Sequence, residues 1–247
     1  MTDVNEEILK QFIQKNHNLV KEYYLCYYNR YREEDFKEQL RILFVNALSA
    51  GGEGKISQKA SSICLFEEKV NKMNKCTYSE LLRVFNVGSY LKLNESLKMF
   101  KQMGPKKSAL FLRDIFYFEN IIKEYPIDLK KQFLVPVDRV ITRTVNSIFN
   151  KKYIPNSDNA FREINILSKI VFPNEPILLE DLWFWGRFYR CKEEKANKDI
   201  PYCEFNKELL NVDKDVTKEY REKMLEFANN HKNCPFKEIC KKQNYKK

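Results

Sequence analysis

Apolar residues recur along this chain at the three- and four-residue spacing of amphipathic helices, and strand-type alternation is scarce. Two faces show that spacing most clearly: Ile141, Thr144, Val145 and Ile148, and Leu178, Leu182 and Trp185. The pattern predicts an all-α fold. The expected helices are 4–15, 17–31, 34–49, 57–72, 77–85, 89–102, 107–124, 138–150, 158–171, 178–191 and 215–230.

The chain carries no segment that favours a membrane or a secreted location. No stretch approaches the roughly 20 apolar residues that a bilayer-spanning helix needs. The first residues are partly acidic and lack the apolar run of a signal peptide. We expect a monomer without membrane contact, cytoplasmic or, in a cell with a nucleus, nuclear. In such a reducing compartment the seven cysteines are expected as thiols or metal ligands.

The charge of the chain favours a polyanionic partner. There are 44 Lys or Arg against 34 Asp or Glu, a formal net charge of +10. Between Leu97 and Lys152 we count 12 Lys or Arg and 5 Asp or Glu, so this segment alone carries +7. A concentrated positive field is what binding to phosphates requires.

Glycine is rare, with only six in the chain, so each is expected where the backbone needs a positive φ or a close approach. Gly104 falls between two helical patterns and is followed by Pro105, Lys106 and Lys107. A short turn of this kind can present backbone N–H groups which, with the lysines, grip a phosphate. The alternative is an ordinary helix end followed by proline.

The segment after Gly104 and a second segment around Asp138 together resemble a known motif. Lys107 precedes Ser108 and an alanine, and Asp138 follows 31 residues later in Val-Pro-Val-Asp. This resembles the helix-hairpin-helix DNA glycosylase superfamily, whose hairpin reads L-P-G-V-G-x-K-[TV]-A and whose acidic loop reads V-D-x-x-[VI]-x-R. The acidic loop matches closely through Arg143. The hairpin is shorter by one or two residues and has Pro105 where a glycine is common.

Two segments upstream are similar to the same family. Leu-Ser-Ala at 48–50 resembles the L-S-A-Q turn of endonuclease III-like enzymes, and Val-Gly-Ser-Tyr at 87–90 resembles the turn before the helix that leads into the hairpin. Gly51 stands where those enzymes have glutamine. The resemblance implies that this glutamine fills the gap left by the flipped base, so the residue with that role is not identified here.

The resemblance implies a glycosylase that flips a damaged base out of the duplex and removes it. Lys107 is implied as the nucleophile, with Lys106 as a second candidate, and Asp138 as the carboxylate that stabilises positive charge on the sugar. Attack by the amine leaves a Schiff base, which permits strand cleavage. The alternatives are a phosphate contact for Lys107 and a role as helix N-cap alone for Asp138, although the resemblance implies that the aspartate can be both cap and catalytic residue. DNA contacts are expected from Gly104, Lys106, Ser108 and Arg139.

The long separation between Lys107 and Asp138 resembles the archaeal 8-oxoguanine glycosylases. An oxidised base such as 8-oxoguanine is therefore the preferred substrate, and oxidised pyrimidines come next. Two other functions stay open. One is a non-catalytic helix-hairpin-helix protein that binds DNA, and the other is a redox- or metal-sensing regulator.

The cysteines near the C-terminus resemble the iron–sulfur loop of endonuclease III-like enzymes. Trp-Gly-Arg at 185–187 leads to Cys191, and the closing C-x₅-C is present. The usual spacing is C-x₆-C-x₂-C-x₅-C, whereas here it is C-x₁₁-C-x₃₀-C-x₅-C. The resemblance implies a [4Fe–4S] cluster. The implied ligands are Cys191, Cys203, Cys234 and Cys240. Zinc, or no metal at all, are the alternatives.

We expect two helical subdomains, 38–136 with the hairpin and 1–37 plus 137–247 with the cluster. Damaged double-stranded DNA would lie in a groove between them, and Lys107 and Asp138 would face each other at its mouth. The aromatic run at 183–189 is more typical of a packed core than of a pocket that stacks on the flipped base. His17 and His231 are isolated and receive no role.

Overall fold

The computed structural model describes residues 4–50, 55–118, 120–189, 205–212, 215–237 and 239–240. Within these residues the regular structure is helical and contains no strand, which confirms the all-α prediction. The α-helices are α1 (Val4–Tyr28), α2 (Phe36–Ser49), α3 (Ile56–Asn71), α4 (Tyr78–Phe85), α5 (Tyr90–Leu97), α6 (Pro105–Arg113), α7 (Arg139–Ile148), α8 (Asp158–Val171), α9 (Asp181–Phe188), α10 (Glu208–Val212) and α11 (Lys218–Asn230). A π-helical turn (Asp114–Phe118) follows α6, and 3-10 helices cover Asn29–Tyr31, Ile127–Gln132 and Pro176–Glu180.

Several helix boundaries differ from the predicted ones. The two helices expected at 4–15 and 17–31 form the single helix α1, which ends at Tyr28. Asn16 lies within it, and its side chain donates to the Phe12 carbonyl (2.8 Å). The helix expected at 89–102 ends at Leu97, and the one expected at 107–124 begins at Pro105. The short helix α10 was not predicted.

Short polar side chains begin many of the helices. Each accepts a hydrogen bond from a backbone N–H of the first turn, which otherwise has no partner within the helix. These N-cap residues are Asp35, Thr77, Ser89, Asp138, Ser157 and Thr217. At the other end of α4, Asn86 adopts a left-handed conformation (φ 56°), and its backbone N–H bonds back to the last turn.

The chain divides into two compact units. The hairpin unit comprises Tyr28–Pro136 and Pro173–Ile177, and the terminal unit comprises Met1–Tyr27, Val137–Phe172 and Leu178–Lys247. The division at 136/137 lies where the sequence analysis placed it. The N-terminal boundary lies at 27/28 instead of 37/38, since most of α1 belongs to the terminal unit.

Aromatic rings fill the core of the hairpin unit. Phe44 of α2 stacks face to face on Phe66 of α3, with ring centroids 3.9 Å apart. Phe111 of α6 meets the Phe66 ring edge-on at 5.4 Å. This packing holds α2, α3 and α6 together, and α6 carries the predicted lysine nucleophile.

In the terminal unit, α7 packs closely on α9. A Cβ added to Gly186 would lie 2.3 Å from Thr144 Oγ1, so only glycine allows the two helices to approach this far. This confirms the expectation of a close approach for Gly186. Both apolar faces named from the sequence are buried, as predicted.

The part of the chain that the structure describes has no helix with both the length and the apolar character of a membrane span.

Candidate functional site

Helices α5 and α6 and the connection between them, residues 98–104, contain the segment that resembles the hairpin motif. Gly104 is the N-cap residue of α6, and Pro105 occupies the first helical position, where a missing N–H costs nothing. The expectation that Gly104 supplies a positive φ or a close approach is wrong. Its φ is −84°, and a Cβ there would meet no atom within 4 Å. The left-handed residue of this turn is Gln102, with φ 70°.

Helix α3 supports the turn of the hairpin. The Ser62 hydroxyl donates to the Lys101 carbonyl (2.8 Å), and the Gln102 amide donates to Gln58 Oε1 (2.5 Å). Ser62 is buried, so its hydrogen bond is shielded from water. The turn therefore owes its conformation to contacts with residues about 40 positions earlier in the chain, which no local sequence pattern indicates.

Lys107, the predicted nucleophile, is the third residue of α6 and is partly buried. Its Nζ donates to the Leu48 carbonyl (2.5 Å), in the segment that resembles the Leu-Ser-Ala turn. Burial lowers the pKa of Lys107, and the positive charges of Lys59 and Lys106 lower it further. A lowered pKa increases the fraction of neutral amine, which is the form that attacks carbon. Lys59 belongs to α3 and was not singled out from the sequence.

The other predicted DNA-binding residues near Lys107 differ in exposure. Ser108 is fully buried, its hydroxyl donates to the Pro105 carbonyl (3.0 Å), and its backbone N–H donates to the Gly104 carbonyl (3.0 Å). Both donors of Ser108 are thus used inside the helix, so the expected DNA contact of this residue has no support. Lys106 is partly exposed.

Asp138, the predicted carboxylate, lies in the terminal unit and is the N-cap of α7. Its Oδ1 accepts the backbone N–H of Ile141 (2.9 Å), and its Oδ2 accepts the indole N–H of Trp183 (3.0 Å). The carboxylate is partly exposed, and the next residue, Arg139, is exposed. Capping is therefore one role of Asp138. The convergence of Lys107 with Asp138 involves both units and stays a prediction.

Most of the aromatic residues of α9 belong to the core, as predicted. Phe184, Trp185, Phe188 and Tyr189 are buried. Trp183 differs because it is only partly buried and bonds to Asp138. The two residues are 45 positions apart. The sequence shows Trp183 as one of several aromatic residues and carries no signal for this pairing.

A second polar contact in the terminal unit joins α1 to α9. His17 Nδ1 lies 3.0 Å and 3.2 Å from the two carboxylate oxygens of Asp181, and Asp181 is only 1% exposed. Next to it, the Tyr24 hydroxyl donates to Glu180 Oε1 (3.3 Å). His17 had no role in the sequence analysis, since a single histidine without a nearby partner in sequence gives no indication of a function.

Two of the four predicted cluster ligands are described, and neither forms a disulfide. Cys234 is buried and Cys240 partly buried. They flank a tight turn in which the Lys237 N–H donates to the Cys234 carbonyl (3.0 Å). Cys191 and Cys203 lie outside the described residues. Within the described residues, no group of three or more Cys, His, Asp or Glu is placed to hold a metal.

Three further cysteines lie outside the predicted cluster segment. Cys64 is exposed and Cys26 partly buried. The Cys76 thiol donates to the Ile121 carbonyl (3.1 Å), and burial raises the pKa of Cys76 to about 11. This thiol is therefore poorly reactive at neutral pH.

Comparison with protein-family models, with curated proteins and with solved structures finds no match to this chain.

Proposed function

We propose that this protein is a DNA glycosylase with a lysine-dependent lyase activity on the resulting abasic site. The observation that carries the proposal is the environment of Lys107. It lies in the first turn of α6, directly after the hairpin turn, with Lys59 and Lys106 as positive neighbours and with a lowered pKa. The N-terminal end of a helix also has a partial positive charge, which further disfavours an ammonium group there.

The chemistry requires a neutral amine and a nearby anion. The Lys107 amine bonds to C1′ of the flipped nucleotide while the glycosidic C–N bond breaks, and the base leaves with the electron pair and takes up a proton. Opening of the sugar ring gives a Schiff base. Loss of a C2′ proton then expels the 3′ phosphate and nicks the strand. The Asp138 carboxylate would stabilise the positive charge that builds on the sugar.

The same region favours duplex DNA as the partner. The net charge between Leu97 and Lys152 is +7, and this segment includes the hairpin and Asp138. Lys106, Arg139 and the backbone around Gly104 are the proposed contacts to phosphates. An oxidised base such as 8-oxoguanine is the proposed substrate, on the separation between Lys107 and Asp138 alone.

The cysteine-rich end is proposed to hold a [4Fe–4S] cluster on Cys191, Cys203, Cys234 and Cys240. The two described thiols support this, because neither forms a disulfide and they flank a short turn. A cluster there would stabilise a loop and would take no part in base removal.

The test is a panel of duplexes, each with one lesion, scored separately for base release and for nicking. Borohydride reduces a Schiff base to a stable amine, so an active Lys107 should become covalently linked to DNA. Lys107→Gln should abolish the adduct, and the matched variant Lys106→Gln should retain it. An adduct that survives in Lys107→Gln and disappears in Lys106→Gln would move the role to Lys106.

A non-catalytic DNA-binding protein is the second candidate. The hydrogen bond from Lys107 to the Leu48 carbonyl favours it, because a lysine that tethers α6 to the end of α2 has a structural role without any chemistry. This candidate predicts salt-dependent binding to duplexes, no base release from any lesion, and weaker binding in Lys106→Gln.

A further inference from the structure

The Asp138 carboxylate has a second donor besides its own helix. The Ile141 N–H occupies Oδ1, and the Trp183 indole N–H occupies Oδ2 at 3.0 Å. A carboxylate that only caps a helix needs the first of these bonds. The second comes from α9 and fixes the plane of the carboxylate group, because its two oxygens are held from two different helices.

The Trp183 ring is itself held in place. The Arg187 guanidinium lies over it, 5.2 Å from the ring centroid, and the Tyr24 ring lies 5.9 Å away at an angle of 32°. Arg187 also donates to the Tyr23 hydroxyl (3.4 Å). Contacts to the indole from α1 and from the next turn of α9 limit its rotation, so the direction of its N–H is determined before any ligand binds.

The distance between α7 and α9 is set close to this hydrogen bond. Gly186, one turn after Trp183, packs against Thr144 and Val140 of α7 with no room for a Cβ. Because the helices cannot slide apart without losing this contact, Trp183 stays opposite the first turn of α7, where Asp138 is located.

We propose that Trp183 is a positioning residue, whose indole N–H orients the Asp138 carboxylate for the sugar of the extruded nucleotide. This inference rests on the proposed function. With Oδ1 held by the Ile141 N–H and Oδ2 by the Trp183 indole, the carboxylate keeps one orientation, and a misplacement of about 1 Å is enough to slow a reaction of this kind strongly.

The kinetic test is Trp183→Phe, which keeps an aromatic ring and removes the donor. Single-turnover base release should slow about 10- to 100-fold, because the rate loss expected from removing a hydrogen bond to a charged group is of this size. The affinity for the duplex should stay unchanged. Trp185→Phe is the matched control, because Trp185 is a buried tryptophan of the same helix whose Nε1 has no hydrogen-bond partner among the described residues. Trp185→Phe should release base at the normal rate. Its melting temperature is measured first, to show that the variant is folded.

The double variant separates positioning from general support of the fold. In an Asp138→Asn background, Trp183→Phe should cause little further loss, because the group that it orients is already changed. If the two losses multiply, or if Trp183→Phe alone is as fast as the unchanged chain, the inference is wrong.

A spectroscopic readout keeps this test independent of activity. The chain has only two tryptophans, so two indole N–H signals are expected in a ¹⁵N-labelled sample. Asp138→Ala should move the Trp183 signal and speed its exchange with water, and should leave the Trp185 signal in place. If no lesion duplex loses its base, the proposed function fails, while this signal still reports whether Trp183 holds Asp138. An unmoved Trp183 signal overturns the inference in either case.

Discussion

Gly186→Ala tests the close contact between α7 and α9 in the terminal unit. The new Cβ would lie 2.3 Å from Thr144 Oγ1, far inside van der Waals contact, and 3.0 Å from Val140 Cγ1. Thr144 cannot rotate away freely, because its hydroxyl donates to the Val140 carbonyl (2.9 Å). Overpacking of this kind costs about 1–3 kcal/mol of the free energy of unfolding. We expect the melting temperature to fall by roughly 2–4 °C per kcal/mol, measured by calorimetry.

A second substitution shows whether the clash is the cause. Thr144→Ala removes Oγ1 and leaves Cβ, which would lie 3.5 Å from the new methyl group, an ordinary contact. Gly186→Ala combined with Thr144→Ala should therefore be less destabilised than the sum of the two single variants, by about 0.5–3 kcal/mol. Thr144→Ser keeps Oγ1 and should give no such relief. Full additivity, or a Gly186→Ala chain as stable as the original, would refute the reasoning.

Three further predictions concern stability alone. Ser157→Ala should cost about 1 kcal/mol, because the Ser157 hydroxyl caps α8 by accepting the Ala160 N–H (3.1 Å), and Ser157→Asp should restore it in a denaturant titration. Hydrogen bonds from Arg83 and then from the Asn74 N–H lower the pKa of Glu80 from 4.5 to about 2. The ionised Glu80 therefore stabilises the fold fully above about pH 4.5, and this contribution declines as the pH falls towards 2. The difference in unfolding free energy between the original chain and Glu80→Gln should disappear over that range. Asp114→Ala should cost about 3–5 kcal/mol of the free energy of unfolding, because it removes the carboxylate that accepts a hydrogen bond from Nε of the buried Arg113 (2.7 Å). Arg113→Met combined with Asp114→Leu removes both charges and should cost much less in the same titration.

The parts of the fold that depend on local sequence were predictable. The helix spacing, the capping side chains and the apolar faces are all short-range patterns, and each acts within one or two turns. Asp138 shows this well, since an aspartate before an apolar helical pattern was recognised as a potential cap, and it is one.

The parts that depend on distant contacts were not predictable. Gly104 was expected to supply an unusual backbone conformation, yet Gln102 has the positive φ, and its side chain is held by Gln58 from another helix. The pairs Trp183 with Asp138 and His17 with Asp181 join residues 45 and 164 positions apart. The local sequence around each residue contains no information on such pairs, because the hydrogen bonds form only after the helices have packed.

Capping alone was the alternative to catalysis for Asp138, and the family resemblance implies that one aspartate can do both. The Ile141 N–H bonds to Oδ1 and the Trp183 indole N–H bonds to Oδ2, and neither bond removes the negative charge that the proposed chemistry uses. Asp138→Asn separates the two roles, because the asparagine oxygen is an equally good N-cap but has no negative charge. A chain that keeps its melting temperature and loses base release would show that the charge serves chemistry. A chain that keeps both would reduce Asp138 to a structural residue, and the function proposed for Lys107 would then lack the anion that its reaction requires.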